Sequence, residues 1–418
     1  MAAAAAITGS AAPASAADQV ADQRPWSLEP APPRGEAPRD SWARWLGGVV
    51  LIDFLIGFGL LWDRYPLPGL NQPIGVPLLV VGIVVAAWRR PTRRLPTLGL
   101  IVALYGFMLG WAVLVSHLNH LNWYQRAAKM TILMVFALAI AQGRLHLRSL
   151  LQGLVVAMLV NVPLYYAGLT PDNYPPFLTG FFGDKNIAGM MYATLGVLGL
   201  LLHRRWSLRV AHVVVFGAAL ALTGSRTSMA AMAVALVWLA LRNVFPLLMR
   251  LGLAAVLVAT LATIEAQFSR VLFFRDREGT DWFREQIDLA TAAKLALSPW
   301  YGDGLTTAWV RMGYRFMYFH NSYSSMRIEG GWVMVAVMLL LFGWFAAGFL
   351  MQRKARADEL VTEAAMVVVL VCAWKLGEVF FTTPAFLVLG AGLLTRRSVP
   401  RPAPASSVTP IAPPRRSS

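Results

Sequence analysis

The chain has few charged residues and a single cysteine. Charged side chains make up 14% of its 418 residues, whereas soluble domains carry about 25%. With Cys372 alone, the chain can form neither an internal disulfide nor a cysteine-based metal cluster. Hydrophobic residues reach 57% and the mean hydropathy is +0.56. This composition excludes an ordinary soluble domain and indicates an integral membrane protein.

Several signatures of nucleotide and metal chemistry are also missing. The sequence has no Walker A loop, no dinucleotide-binding fingerprint, no Gly-x-Ser-x-Gly elbow, no His-Glu-x-x-His and no Asp-x-Asp. ATP-driven, zinc-dependent and Mg²⁺-dependent sugar-nucleotide reactions therefore have no support from sequence motifs.

The charges that are present are mostly positive. Lys and Arg total 37 against 21 Asp and Glu, which gives a formal charge of +16. In a soluble protein this excess would suggest nucleic acid, but in a membrane protein cationic residues collect in cytoplasmic loops. We therefore expect membrane lipids around the chain and no nucleic-acid partner.

Apolar stretches recur along the chain at about the length of 17–25 residues that crosses a bilayer. They predict an all-α polytopic membrane protein of about twelve transmembrane helices with both termini in the cytoplasm. The inner loops then hold sixteen Lys and Arg and the short outer loops five, as the positive-inside rule requires. The spans are expected near residues 44–62, 74–88, 96–116, 127–142, 149–168, 187–202, 208–223, 227–241, 251–266, 331–351, 360–380 and 383–395.

These boundaries predict five parts. Residues 1–43 and 397–418 are rich in Ala, Pro or Ser and are expected to be disordered cytoplasmic tails. Residues 44–264 would hold helices 1–9, and residues 331–396 would hold helices 10–12. Between them, residues 265–330 form one long polar loop with short helices, which this topology places outside, in the periplasm if the source is a bacterium.

The polar loop contains one histidine, His320, followed by Asn321, Ser322 and Tyr323. The eight basic residues of the loop are matched by eight acidic ones, so its net charge carries no functional argument. An imidazole titrates near pH 6.5 or so, which suits a general base at neutral pH, and the three polar neighbours can orient it. The alternative is a hydrogen-bonded histidine at the membrane interface.

Basic residues at the outer ends of helices need a reason, because short outer loops normally lack them. Arg126, Lys129, Lys185 and Arg226 occupy such places, and contact with lipid phosphates is one explanation. Arg226 lies in the tight turn TGSRTS at residues 223–228, so we expect it at a helix N-terminus that suits an anionic oxygen. Lys185 opens the sixth span in the same manner.

Arg284 falls on a helical-looking segment, residues 281–297, that leads into a Pro- and Gly-rich turn. Arginine can hold a diphosphate through two hydrogen bonds and stays charged at any relevant pH.

Three charges fall within or near predicted spans: Asp53, Lys375 and Glu378. Lys375 and Glu378 are three residues apart, which predicts neighbours on one face of one helix. Such residues are candidates for function, although an ion pair that satisfies itself explains them equally well.

Four segments resemble the O-antigen ligases of the O-antigen ligase/polymerase superfamily. Each motif is short, but their order and their shared position at the outer face make the combination fairly specific. The segments are FFGDKNIAG at residues 181–189, TGSRTS at residues 223–228, Arg284 followed by SPWYGDG at residues 298–304, and His320-Asn321 ten residues before Gly330-Gly331.

The resemblance implies an inverting glycosyltransferase with a lipid-linked donor. It would transfer O-antigen polysaccharide from undecaprenyl diphosphate to lipid A-core at the periplasmic face of the inner membrane, in lipopolysaccharide biosynthesis, without metal, ATP or cofactor. His320 would be the general base, and Arg226 and Arg284 would stabilise the departing diphosphate. Lys185, Arg126 and Lys129 would extend the diphosphate site.

Other functions remain open. An O-antigen polymerase differs chiefly in its acceptor, and protein O-oligosaccharyltransferases are a further relative. A transporter or flippase of lipid-linked sugars belongs to another class, and it would explain the helices but give His320 no role in proton transfer.

Overall fold

The computed structural model describes residues 49–66, 73–171, 173–268 and 278–400. The predicted tail at residues 1–43, residues 401–418 of the second tail and residues 269–277 of the polar loop lie outside the described residues.

The described residues are mostly helical, and every predicted span overlaps a helix. Chain order gives α1 Leu51–Gly59, α2 Gly75–Trp88, α3 Leu98–Leu118, α4 Tyr124–Ala141, α5 Leu147–Tyr166, α6 Lys185–Leu198, α7 Trp206–Leu222, α8 Arg226–Leu241, α9 Leu247–Phe268, α10 Glu278–Leu297, α11 Ser322–Leu339, α12 Ala357–Lys375 and α13 Thr383–Arg396.

Among the described residues, five helical segments are long and apolar enough to cross a membrane, judged by length and composition. They are Leu98–Leu118, Tyr124–Ala141, Leu147–Tyr166, Lys185–Leu202 and Ser322–Ala347. The protein is therefore a helical, membrane-embedded protein. The count of twelve spans stays a prediction, because several of the other apolar helices are shorter.

The helices pack around α13, whose residues from Thr383 to Thr395 are all buried. Small residues allow the close approaches. A Cβ at Gly390 would lie 2.8 Å from the carbonyl oxygen of Ala137 on α4, and Gly57 on α1 faces the backbone of Leu150 on α5 at a separation that no side chain permits. Glycine and alanine therefore set the packing where helix backbones meet, as is common in membrane bundles.

The helices on either side of the polar loop differ from the predicted spans. Helix α11 begins at Ser322, nine residues before the predicted span, and its helical geometry breaks at Gly331, where φ is 68° and ψ is −164°. A π-helical segment, Leu340–Ala347, continues it. The predicted start of the span at residue 331 thus coincides with the break and not with the beginning of the helix.

The prediction that Lys375 and Glu378 share a helix face is wrong. Helix α12 ends at Lys375, and Leu376 is extended with φ −117° and ψ 140°. Glu378 lies in the non-helical link between α12 and α13, where it faces α4.

In the part of the chain that the structure describes, two short antiparallel strand pairs accompany the helices. Strand β1, Arg93–Arg94, pairs with β4, Val399–Pro400, so the first residues of the predicted C-terminal tail are held against an earlier loop. Strands β2, Trp309–Met312, and β3, Arg315–Tyr318, form a hairpin in the polar loop. The sequence patterns predict short helices in this loop; from residue 278 to residue 330, where the structure describes it, the loop holds the 20-residue helix α10, this hairpin and the first residues of α11.

Candidate functional site

A cavity of about 600 Å³ lies where α10, the hairpin, α4, the start of α6 and the link after α12 meet. Three of the predicted site residues line it, namely His320, Arg284 and Arg126. They come from three separate segments of the chain. The other charged residues that line it are Arg64, Asp184, Glu329, Lys375 and Glu378.

The backbone around His320 is fixed on both sides. Before it, Phe319 is 1% exposed and packs with Ile287 of α10. After it, the side chain of Asn321 caps α11 by accepting hydrogen bonds from the backbone N–H groups of Tyr323 at 2.9 Å and Ser324 at 3.1 Å. His320 therefore occupies the junction between a strand and a capped helix, a rigid place for a reactive side chain.

The link after α12 is tied to the same junction through Ser322. The Ser322 hydroxyl donates to the carbonyl oxygen of Leu376 at 2.8 Å and accepts from the backbone N–H of Val379 at 2.8 Å. Gly377 leaves room for the carbonyl group of Phe319, which a Cβ would meet. Glu378 and His320 are thereby held on neighbouring pieces of backbone.

The environment favours the neutral form of His320. Burial lowers the pKa of its imidazole below 6.5, and the positive charges of Arg284 and Lys375 lower it further. Asp288 and Asp184 oppose this shift without reversing it. A histidine that is neutral at neutral pH can accept a proton, as a general base must.

Arg126 is engaged by two carboxylates. It donates to Glu329 at 2.9 Å and also bonds Glu378, which in turn lies 3.2 Å from the Nζ of Lys129. The side chains of Arg126 and Glu329 are 15% and 3% exposed. Arg126 thus reaches the cavity as part of a network in which carboxylates balance its positive charge. Lys129 belongs to the same network but does not line the cavity.

Glu329 also fixes a strained residue at the cavity wall. Thr306 has a φ of 73°, a left-handed conformation that disfavours a β-branched residue, and it costs about 1–3 kcal/mol. The backbone N–H of Thr306 donates to Glu329 Oε1 at 3.1 Å, which stabilises this conformation. Such strain is typical of functional sites.

The Pro- and Gly-rich turn at residues 299–304 fits into the break of α11. Asp303 N donates to the carbonyl of Ile328 at 2.6 Å, and Trp332 N donates to that of Trp300 at 3.0 Å. Gly302, with φ 88°, approaches Gly331 so closely that a Cβ would lie 2.5 Å from its nitrogen. Gly302 of the turn and Gly331 of the Gly330-Gly331 pair therefore permit one close backbone contact, and this contact holds the polar loop on α11.

Arg284 is exposed on α10 and faces the cavity, one helical turn before Asp288. Helix α10 is fixed to the hairpin by Lys294, whose Nζ donates to the carbonyl oxygens of Thr307 at 2.7 Å and Trp309 at 2.8 Å. Lys294 thus holds the helix that carries Arg284. Four cations and three carboxylates line the cavity, so it suits an anion better than a cation.

Arg226 and Lys185 do not line this cavity. Helix α8 begins at Arg226, as predicted, and its turn packs on α6, where Ser225 Oγ lies 3.4 Å from the side-chain oxygen of Asn186. Asn186 itself lines the cavity. The Nζ of Lys185 lies 4.8 Å from the ring centre of Phe177. Lys185 is thus the sequence neighbour of two wall residues, Asp184 and Asn186, and the turn that carries Arg226 contacts Asn186.

The fold brings to the cavity several residues for which the sequence motifs predict no role. Asp184, which caps α6 by accepting from the N–H groups of Asn186 and Ile187, was visible only as part of a turn. Glu329 is one of the eight acidic residues of the polar loop and Arg64 is one of the five cations of the predicted outer loops, so no motif distinguishes either residue. The sequence feature that could have pointed to Glu329 is its position directly before Gly330-Gly331.

No protein-family model matches the chain, and no curated protein is significantly similar to it in sequence. The likeness to O-antigen ligases therefore rests on the four motifs, three of which contribute residues to the cavity.

Proposed function

We propose that the protein is a metal-independent, inverting glycosyltransferase with a polyprenyl-diphosphate-linked donor, an O-antigen ligase. The observation that carries this proposal is the meeting of His320, Arg284 and Arg126 at one cavity, with the pKa of the histidine lowered. In this function the protein lies in the bacterial inner membrane and the cavity opens on the periplasmic side.

The reaction needs a base because a sugar hydroxyl is a poor nucleophile. The neutral Nε2 or Nδ1 of His320 accepts the proton while the hydroxyl oxygen of lipid A-core attacks the anomeric carbon of the glycan. The bond between this carbon and the oxygen of undecaprenyl diphosphate breaks on the opposite face. A single displacement of this kind inverts the anomeric configuration and needs no further reactant.

Charge develops on the departing diphosphate, and preorganised cations stabilise it. Arg284 is exposed toward the cavity and is the cation we assign to this role first. Arg126 holds Glu329 and Glu378 in place and adds positive charge at the cavity wall. Arg226, Lys185 and Lys129 lie just outside and extend the electrostatic field toward the lipid diphosphate.

The test is transfer between purified components. The full-length protein is mixed with undecaprenyl-diphosphate-linked glycan and lipid A-core without ATP or added metal, and the products are separated on a gel. We expect glycan joined to lipid A-core. His320→Ala should reduce the rate by about 10²–10⁴-fold, the contribution of a general base.

His117→Ala is the matched control, since His117 is exposed at the end of α3 and lies outside the cavity wall. Full activity of His320→Ala would remove the assigned base. Longer lipid-linked chains without transfer to core would assign the polymerase reaction, and the absence of any covalent product would favour a transporter.

A further inference from the structure

One face of the hairpin β2–β3 packs on α10, and the outward face lies partly along the cavity and is partly exposed. Side chains alternate along a strand. Val310, Met312 and Met317 point inward and pack with Ile287 of α10. The hairpin is thus anchored on the helix that carries Arg284.

The outward face is rich in aromatic residues. Trp309 pairs across the strands with Tyr318, and Arg311 pairs with Phe316. Phe316 is 62% exposed and Tyr318 is 74% exposed, and the rings of Trp309 and Phe316 meet edge to face with centroids 4.7 Å apart. We call these three side chains, Trp309, Phe316 and Tyr318, the aromatic platform.

The aromatic platform is continuous with the cavity. Trp309 and Tyr318 line the cavity wall, while Phe316 extends the surface away from it. Strand β3 leads directly through Phe319 into His320. A ligand held on the platform can therefore extend into the cavity that His320 lines.

We propose that the aromatic platform binds the oligosaccharide of the acceptor. This inference rests on the proposed function and names the part of the site that holds the acceptor sugars. Pyranose rings have an apolar C–H face that packs on aromatic rings, and only the acceptor must place a hydroxyl against the base.

The charges of the hairpin fit an anionic oligosaccharide. Arg311 lies on the platform face and its Nε donates to the carbonyl oxygen of Gly313 at 3.1 Å, which orients the guanidinium. Arg315 lies across from Met312 and therefore belongs to the other face of the hairpin. Phosphate or carboxylate groups on the sugars can pair with Arg311, whereas a purely apolar occupant gives it no role.

The experiment measures binding separately from transfer. Full-length protein in lipid nanodiscs is titrated with core oligosaccharide released from lipopolysaccharide by mild acid, which carries no lipid A. Phe316→Ala and Tyr318→Ala should each weaken binding by about 2- to 10-fold, in line with the loss of one aromatic contact, and the double variant should weaken it further. Trp206→Ala is the control, because Trp206 is 76% exposed at the start of α7, away from the cavity.

Hydrogen exchange provides the second measurement. The oligosaccharide should slow exchange of the backbone N–H groups of residues 309–318 in the wild type and not in the double variant. Equal oligosaccharide affinity in the wild type and the double variant would overturn the proposal. Protection of the hairpin by an empty bilayer relative to detergent, with no further protection by oligosaccharide, would also overturn it and assign the face to lipid.

Failure of this inference is distinguishable from failure of the proposed function. If transfer depends on His320 but the double variant keeps its affinity for the oligosaccharide, the proposed ligase function stands and the proposed role of the platform is wrong. If oligosaccharide binding depends on the platform but no transfer to lipid A-core occurs under any condition, the platform binds the oligosaccharide and the proposed ligase function is wrong.

Discussion

The protein has charged clusters at both ends of its helices, and they differ in how completely their charges are paired. At the end predicted to be cytoplasmic, Arg242, Glu363 and Arg396 form a cluster whose side chains are at most 1% exposed. Glu363 accepts from Arg242 at 3.2 Å and from Arg396 at 2.9 Å. At the cavity, by contrast, Arg284 is exposed and His320 is half-buried.

Asp53 illustrates the paired class. It is fully buried and was a functional candidate by its position in a span, yet it bonds Arg89 at 2.7 Å and the backbone N–H of His146 at 2.9 Å. Its charge is thus paired within the protein, and Asp53 is not among the residues that line the cavity. A charge within an apolar segment is therefore informative only together with its partners. Buried clusters whose charges are paired stabilise the fold, whereas an exposed cation that faces the cavity, Arg284, can bind a ligand.

The largest effect should come from removing the shared carboxylate of the paired cluster. Glu363→Gln leaves Arg242 and Arg396 buried without a counter-charge, which costs about 3–5 kcal/mol when a buried ion pair loses one partner. We expect a markedly lower melting temperature in detergent and a smaller yield of folded protein.

Asp358→Asn is the matched control on the same helix. Its pair with Arg356, at 3.3 Å, lies at the surface, where Arg356 is 62% exposed, so the loss should be about 0–1 kcal/mol. The specific activity of the folded fraction should stay near that of the wild type in both variants. A Glu363→Gln protein as stable as the wild type would show that this cluster does not hold the helices together.

The next effect concerns the cation that faces the cavity. Arg284→Ala should reduce the rate of glycan transfer by about 10²–10³-fold, as loss of one group that stabilises developing negative charge does. Its melting temperature should change little, because Arg284 is exposed. Arg284→Lys should recover part of the rate, since a lysine keeps the charge but not the paired geometry.

Arg204→Ala is the control for this loss of positive charge, because Arg204 is exposed in the loop before α7. An equal loss of rate in Arg204→Ala would attribute the effect to overall charge. An unchanged rate in Arg284→Ala would remove this residue from the reaction.

Much of the layout could be predicted from local patterns. Apolar length located the helices, and the start of α8 at Arg226 and the helix at residues 281–297 followed from turn and helix propensities. The hairpin could not be foreseen in this way, since its strands are four residues each. Periodicity over such a short stretch cannot separate a strand from a loop.

Contacts between distant segments explain the remaining differences. Continuous apolar character extended the span of α12 to residue 380, but Ser322 bonds the backbone of Leu376 and Val379 and holds that link in an extended form. Arg126 meets Glu329 203 residues away in the chain. Pairings at this separation have no local signal, so the network behind the cavity required the folded structure.

The smallest expected effect is a shift of the pH profile of kcat/KM. It tests how the charges around the cavity act on His320. The proposed role of His320 as a base requires its neutral form, so in this proposal activity falls as the pH drops through its pKa. Burial, Arg284 and Lys375 lower that pKa, and the acidic limb of kcat/KM should therefore lie below pH 6.5.

In Asp288→Asn the limb should move to lower pH, because the carboxylate that favours the imidazolium is gone. In Arg284→Gln, whose remaining activity is measured with more enzyme, it should move the opposite way. The two shifts must have opposite signs if the same imidazole controls both profiles; shifts of the same sign, or none, would mean that another group takes the proton.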